Sequence, residues 1–301
     1  MAAVNYAEQY AKALAQTYPY TLYFGDLYNS PNNSKYKVVD AKTIKIPVMT
    51  VNGRKDADRD TIGTFSRNHN NDWETKTLTN LRSWETLVHP LDVNQSNMVM
   101  SIQNATKTFN EEQKFPEMDA YCVSKIFADA NTLDATTTVD STTVLSVENI
   151  LSTFDKYMQD MDEHRVPQTG RILYVTPTIK TMLKQAKEIV RNVSVDSNTT
   201  MINRNITRLD EVKIVSVPSE LMQTVFDFTS GWVKGASAQA INMLLIHPTA
   251  VYTPVVYSFS GMEAPSAHTK GKYLYYEESA EDVFILNNRK YAIKFNVTAG
   301  E

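Results

Sequence analysis

The 301-residue chain sets 30 Lys and Arg against 34 Asp and Glu, a net charge of −4 at pH 7. That balance excludes a dedicated nucleic-acid binder, which concentrates basic residues on one face. Hydrophobic residues make up 42% of the chain, enough for a sizeable core, yet no run approaches the roughly 20 apolar residues that cross a bilayer. A single cysteine, Cys122, excludes an internal disulfide framework. It lies in a helical pattern beside Tyr121 and Val123 and reads as a buried structural thiol. The start, MAAVNYAEQYAKALAQ, has neither the basic opening nor the apolar centre of a secretory signal, so a soluble, reduced, cytosolically made chain is expected.

Residues 1–35 open with a short Ala-rich helix candidate and turn polar and Tyr-rich toward YNSPNNSK, an arm with little core of its own. Next comes a roughly alternating run, YKVVDAKTIKIPVMTV. It puts Ile44, Ile46 and Val48 on one side and Lys45 and Pro47 on the other. Pro47 favours an edge position, because proline has no N–H for a central ladder. The return run, WETKTLTNLRSWETLVHPLDV, alternates as well. Between the two lies NGRKDADRDTIGTFSRNHNND, a polar stretch too long for a structureless loop inside a compact domain. The two runs predict a protruding hairpin that lacks the apolar surface to settle on its own molecule.

A helix follows over 97–130, with Met98, Ile102, Ala105 and Phe109 on one face and Met118, Cys122 and Ile126 continuing it. Pro116 either kinks this helix or starts a second one. The Thr-rich stretch NTLDATTTVDSTT reads as a connector. Ser146 is the expected N-cap of a helix that turns Val147, Ile150, Leu151, Phe154, Met158 and Met161 inward. Residues 166–186 read as a strand passing into a helix at Thr176-Pro177. EVKIVSVP and AINMLLIHP are strand-like, with a short helix candidate from Ser219 between them. From 249 onward AVYTPVVYSF, GKYLYYEES, EDVFIL and KYAIKFNV are strand patterns, and Asn287-Asn288 makes a turn.

Catalytic signals are missing from this pattern. A phosphate-binding turn needs glycines that let backbone N–H groups converge at a helix start. The junction at Thr176-Pro177 has none, and Pro177 removes one of those N–H groups, so it is architecture. His69, His89, His164, His247 and His268 are scattered, without the i, i+4 pairing or cysteine partners of a metal site. The acidic pairs Glu111-Glu112, Glu277-Glu278 and Glu281-Asp282 read as solvated surface. There is no nucleophile elbow, P-loop or dinucleotide fingerprint. No catalytic, cofactor-binding or metal residue is assigned, no cofactor is expected, and an enzyme with a site assembled from distant residues is the least favoured reading.

The order of parts is itself informative: arm, long hairpin, long helix, mixed α/β region, closing strands. TLTNLRSWETLVHPLDVNQSN at 77–97 and PEMDAYCVSKIF at 116–127 look like a hairpin's return strand leading into a long helix. TGRILYVTPTIKTMLKQA, NITRLDEVKIVSVPSELM and INMLLIHPTAVYTP look like consecutive strands and helices of one domain. Together they resemble the major capsid proteins of tailed bacteriophages, the Hong Kong 97 type of fold. The resemblance implies an α+β chain. Its parts would be an N-terminal arm at 1–35, an extended hairpin loop at 36–80, and a peripheral domain with a spine helix at 81–135. An axial domain at 136–247 would follow, and 248–301 would return to the peripheral domain with closing strands.

The implied function is a shell subunit with itself as main partner, forming pentamers and hexamers into an icosahedral virion capsid assembled in the host cytoplasm around double-stranded DNA. Because the chain starts almost directly at the arm, either a separate scaffold protein or an already processed chain is expected, and a portal protein is a further implied partner. The DNA would lie nearby without sequence-specific binding, and no membrane is involved. The mildly acidic balance agrees, since a strongly basic inner wall would grip each phosphate. A cellular nanocompartment shell of the same fold is the alternative. The hairpin tip carries Arg54, Lys55, Asp56, Asp58, Arg59 and Asp60. Their mixed signs suit reciprocal contacts between copies, or a solvated tip. Replacing Arg54 and Arg59 together by Glu is expected to impair assembly while leaving the subunit folded, as checked by circular dichroism and electron microscopy; normal shells would remove the tip from the contact.

Overall fold

The computed structural model describes residues 20–40, 42–54, 56, 67–95, 101–186 and 206–298. In chain order the first elements are α1 (Gly25–Tyr28), β1 (Lys37–Asp40), β2 (Thr43–Val51), β3 (His69–Thr77), β4 (Leu81–Val88) and α2 (Pro90–Gln95). Next come α3 (Ile102–Phe109), a π-helical turn (Asn110–Lys114), α4 (Phe115–Thr138), β5 (Val139–Asp140), α5 (Ile150–Glu163), β6 (Ile172–Val175) and α6 (Pro177–Gln185). The rest is β7 (Arg208–Leu209), β8 (Val212–Ser216), β9 (Phe226–Asp227), β10 (Val233–Lys234), β11 (Ile241–Ile246), β12 (Val251–Tyr252), β13 (Val255–Glu263), β14 (Tyr273–Glu281), β15 (Phe284–Ile285) and β16 (Ile293–Val297).

Six strands form the central sheet, in the order β5-β16-β11-β6-β8-β7. Alternate side chains of a strand point to opposite faces, so a strand covered on both sides needs a continuous apolar run. INMLLI in β11 and ILYV in β6 are such runs. One face turns Ile172, Tyr174, Leu244 and Ile246 toward Ala120, Cys122, Val123 and Ile126 of α4. The other turns Leu173, Val175, Met243 and Leu245 toward Phe154 and Met161 of α5 and Ile179 and Leu183 of α6. The last strand, β16, pairs with β11 and so ties the C-terminal region into this sheet.

The junction at 176–177 forms as expected. Thr176 has extended φ/ψ of −68° and 158°, its side-chain oxygen accepts from the Ile179 N–H at 3.5 Å, and Pro177 takes the first helical position. Arg171, which opens the same run, is fully buried. Its Nε donates to the Pro167 carbonyl at 2.9 Å, and its Nη2 donates to the Val166 carbonyl at 2.7 Å and to Asp162 at 2.5 Å. A buried guanidinium persists only with its donors satisfied, and here they close the turn between α5 and β6.

Several helix boundaries differ from the sequence expectation. Helical structure begins at Ile102, after Ser101 as N-cap, and runs through α3, the π turn and α4 to Thr138, with a kink at Asp134; Met98 lies outside the described residues. Pro116 falls in the first turn of α4, directly after the π turn, whose wider spacing accommodates the missing N–H. The helix runs on into the Thr-rich segment and breaks inside it at Asp134, whose φ/ψ of −169° and 80° are non-helical, with one further turn to Thr138. Thr138 Oγ1 donates to the carbonyls of Ala130 at 3.1 Å and Asp134 at 2.6 Å, and Lys290 pairs with Asp134 at 2.9 Å.

Residue Asn149, not Ser146, precedes α5, because the Asn149 side chain turns back to accept from the Ser146 N–H at 2.7 Å. Ile150, Phe154 and Met161 are buried as expected, and Tyr157 joins them. No helix forms from Ser219. The chain makes a turn and runs extended into a bridge between Gln223 and Ala240, which buries Leu221 and Met222 in the core.

Candidate functional site

β2 and β3 form an antiparallel ribbon from Thr43↔Thr77 out to Val51↔His69, with β1 on the other side of β2 near the base. Pro47 lies two residues beyond the last rung of β1, at Lys45, where β2 has a free edge on that side. The expectation that this hairpin has no footing on its own molecule is corrected for its base. Ile44, Ile46 and Leu78 are buried against Tyr252, Phe284 and Leu286. Beyond Ile46 the ribbon leaves that anchor. Met49 is 65% exposed, Val51 71% and Trp73 45%.

Of the tip residues, Arg54 and Asp56 are described and exposed. Lys55, Asp58, Arg59 and Asp60 lie outside the described residues.

The return run also divides. β3 ends at Thr77, and after a three-residue crossover β4 pairs with β14 along its whole length in a second sheet, β13-β14-β4. Asp282, 2% exposed, fixes the crossover: it accepts from the Thr79 N–H at 2.8 Å and from the Tyr121 hydroxyl at 2.8 Å. A seam of ion pairs joins this sheet to the long helix, with Arg82 to Glu117 at 2.6 Å and Lys114 to Glu277 at 2.9 Å. Trp84 stacks on Phe109 at a centroid distance of 4.0 Å. Glu277, Glu281 and Asp282 are therefore parts of a joint rather than solvated acids, and burial raises the Glu281 carboxyl above its ordinary range.

The arm is tied down from residue 20 onward, against the expectation of little core. Phe24 and Leu27 are fully buried. Asp119 on α4 accepts from the Tyr20 hydroxyl at 2.6 Å and from the N–H groups of Tyr23 at 2.9 Å and Phe24 at 3.1 Å. Burial outweighs these bonds and pushes the Asp119 pKa up to about 6. Sequence reading missed Asp119 and Arg171; the one available signal was a charged residue within a run of otherwise core-facing positions.

No catalytic constellation assembles among the described residues, and none of their His, Cys, Asp and Glu side chains cluster as metal ligands. His164 stacks on Tyr291 at 3.8 Å. His247 is held between the Thr169 carbonyl, 3.1 Å from Nε2, and the Thr249 N–H, 3.2 Å from Nδ1, and burial lowers its pKa. That makes it a neutral structural ring.

No protein-family model matches the chain, and no curated protein sequence does. Solved structures do. The chain is similar to the capsid structure of cyanophage P-SCSP1u, with a TM-score of 0.71 at 12% identity, covering 98% of this chain and 94% of that one. For the mature capsid of bacteriophage PhiM1 the TM-score is 0.68 at 13% identity, covering 98% and 92%. For the capsid of an empty GTA particle it is 0.59 at 12% identity, covering 98% and 95%. At such identities the likeness is one of fold: over nearly its whole length, this chain has the fold of phage capsid structures.

Proposed function

We propose that the protein is a major capsid protein, a structural and non-enzymatic subunit that self-assembles as pentamers and hexamers into an icosahedral phage head around double-stranded DNA. The observation that carries this reading is the whole-length fold likeness to capsid structures. A hairpin anchored, among the described residues, at its base supports it, because the outer ribbon offers Met49, Val51 and Trp73 to a neighbouring copy. In this reading 1–35 is the arm, 36–80 the extended loop, 81–135 the peripheral domain with its spine, 136–247 the axial domain and 248–301 the return segment. A scaffold and a portal are the further partners, assembly takes place in the host cytoplasm, and the tip charges Arg54, Lys55, Asp56, Asp58, Arg59 and Asp60 face adjacent subunits.

Electron microscopy of the expressed protein, alone and with the proteins encoded beside it, tests the reading: closed particles are expected, and a small soluble oligomer under all conditions overturns it. DNA inside native particles separates a phage head from a nanocompartment holding protein cargo. The variant Met49→Glu with Trp73→Glu is expected to stop particle formation while shifting subunit stability by less than about 0.5 kcal/mol, as for exposed positions generally. Particles at wild-type yield would remove the ribbon from the interface.

A further inference from the structure

The sheet β13-β14-β4 ends in an open strand. β13 has β14 as its neighbour, and among the described residues no strand pairs with its other side. An exposed row of unpaired N–H and C=O groups is a template for another strand, and proteins blunt such edges with short strands, irregularity, proline or charge. The other edges here are blunted. β5 and β7 are two residues long, β1 is short and irregular, β3 carries Asp72, Glu74 and Lys76, and β4 carries Arg82 and Glu85. β13, VVYSFSGME, is nine residues long, has neither lysine nor proline, and keeps its one charge, Glu263, at the far end. Its irregular rung lies at the base, between Val255 and Tyr257, and from Tyr257 to Glu263 the register with β14 is unbroken. That stretch is a regular, uncharged and exposed edge.

We propose that this edge pairs with β13 of a second copy of the chain, antiparallel about a two-fold axis at Phe259, joining two three-stranded sheets into one of six strands. Directly opposed residues of an antiparallel pair share a face, so a strand that pairs with itself must oppose one residue to its own copy. Centring on Phe259 opposes Tyr257 to the partner's Gly261 and Ser258 to the partner's Ser260. The glycine suits this register. A Cβ on Gly261 would stand 3.0 Å from the Phe259 ring, so that ring already leans along the strand over it. Tyr276 is opposite Gly261 on β14, with its ring centroid 6.3 Å from that of Phe259. Pairing brings Tyr257 to the open side of the partner's glycine, and the three rings of each copy merge into one apolar patch. Charge allows the arrangement. Each Glu263 lies at the base end of the opposite strand, away from its counterpart. Glu278, bonded by the Tyr276 hydroxyl at 3.0 Å, stays three strand spacings from its own copy, about 14 Å, beyond the screening length of about 8 Å. One strand pair buries less than the roughly 1,200 Å² of a stable complex, so the contact is a weak one that a cross-link traps. It does not require a shell, and its test is separate from that of the capsid reading.

The test uses two variants of the full-length chain, Ser258→Cys and Ser260→Cys, oxidised mildly, each alone and mixed; native Cys122 is fully buried and does not compete. Disulfide-linked dimers, read on non-reducing electrophoresis, are expected to form about tenfold faster in the mixture. Only there do two cysteines stand directly opposed, whereas in either variant alone they are diagonal neighbours, at or beyond the roughly 7 Å that a disulfide spans. Adding Phe259→Lys to both chains is expected to slow the mixed dimer about tenfold, because two like charges then meet at the axis in place of a ring pair. Subunit stability should be unchanged, since Phe259 is exposed. No dimer in the mixture, equal rates for the mixture and the single variants, or indifference to Phe259→Lys overturns the proposal. Particles from a chain that gives no such dimer would sink this contact and leave the capsid reading standing; the dimer without particles would do the reverse.

Discussion

Replacing Asp119 by alanine is expected to destabilise the subunit by about 2–4 kcal/mol and to expose the chain ahead of α1 to protease. The carboxylate is the acceptor for the N–H groups of Tyr23 and Phe24 and for the Tyr20 hydroxyl. Orphaning buried donors costs about 1–3 kcal/mol each, offset in part because a buried carboxylate is itself unfavourable. Denaturant unfolding and limited proteolysis measure the two effects.

The same residue sets a pH dependence. Burial raises its pKa from 3.8 to about 6, so the folded state holds the proton more tightly than the unfolded one. Its contribution to stability is fully present below pH 3.8 and is lost as the pH rises through about 6. Relative to Asp119→Asn, the wild type should therefore gain about 2 kcal/mol as the pH falls from about 7 to about 4. Equal differences between the two proteins at both pH values would show that the hydrogen bonds, not burial, govern this carboxyl.

Ile44→Ala is expected to cost about 3 kcal/mol, within the range for deleting a fully buried aliphatic side chain. The loss should be local. Ile44 packs in a small cluster with Ile46, Leu78, Tyr252, Phe284 and Leu286, apart from the clusters on the two faces of the central sheet. Loss of that anchor frees the hairpin before it unfolds the subunit. Amide exchange in β2 and β3 should rise by about two orders of magnitude, following the free energy, while β6 and β11 stay protected. Equal acceleration in β6 would show that the hairpin base belongs to the global core.

Strands were the most legible elements. INMLLI and ILYV announce full burial, and TIKIPVMTV forms a strand as its alternation implies, but its partner starts at His69, inside the stretch that reads as loop. The cap at Thr176-Pro177 was legible for the same reason: its chemistry is local. The helix from 102 to 138 was legible as a type but not in its limits. The Thr-rich composition argued for a break after Ala130; the helix instead breaks at Asp134, whose side chain pairs with Lys290.

The amino-acid order alone determined the strand character of the hairpin and the want of catalytic motifs, because each follows from local periodicity or from composition. Only the tertiary structure decided which partners meet across the chain. It seated the hairpin base on Tyr252 and Phe284, moved β4 into a different sheet from β3, and placed Asp119 and Arg171 inside. A charged residue can be buried only where distant groups supply its bonds, and no local pattern records where those groups will come to lie.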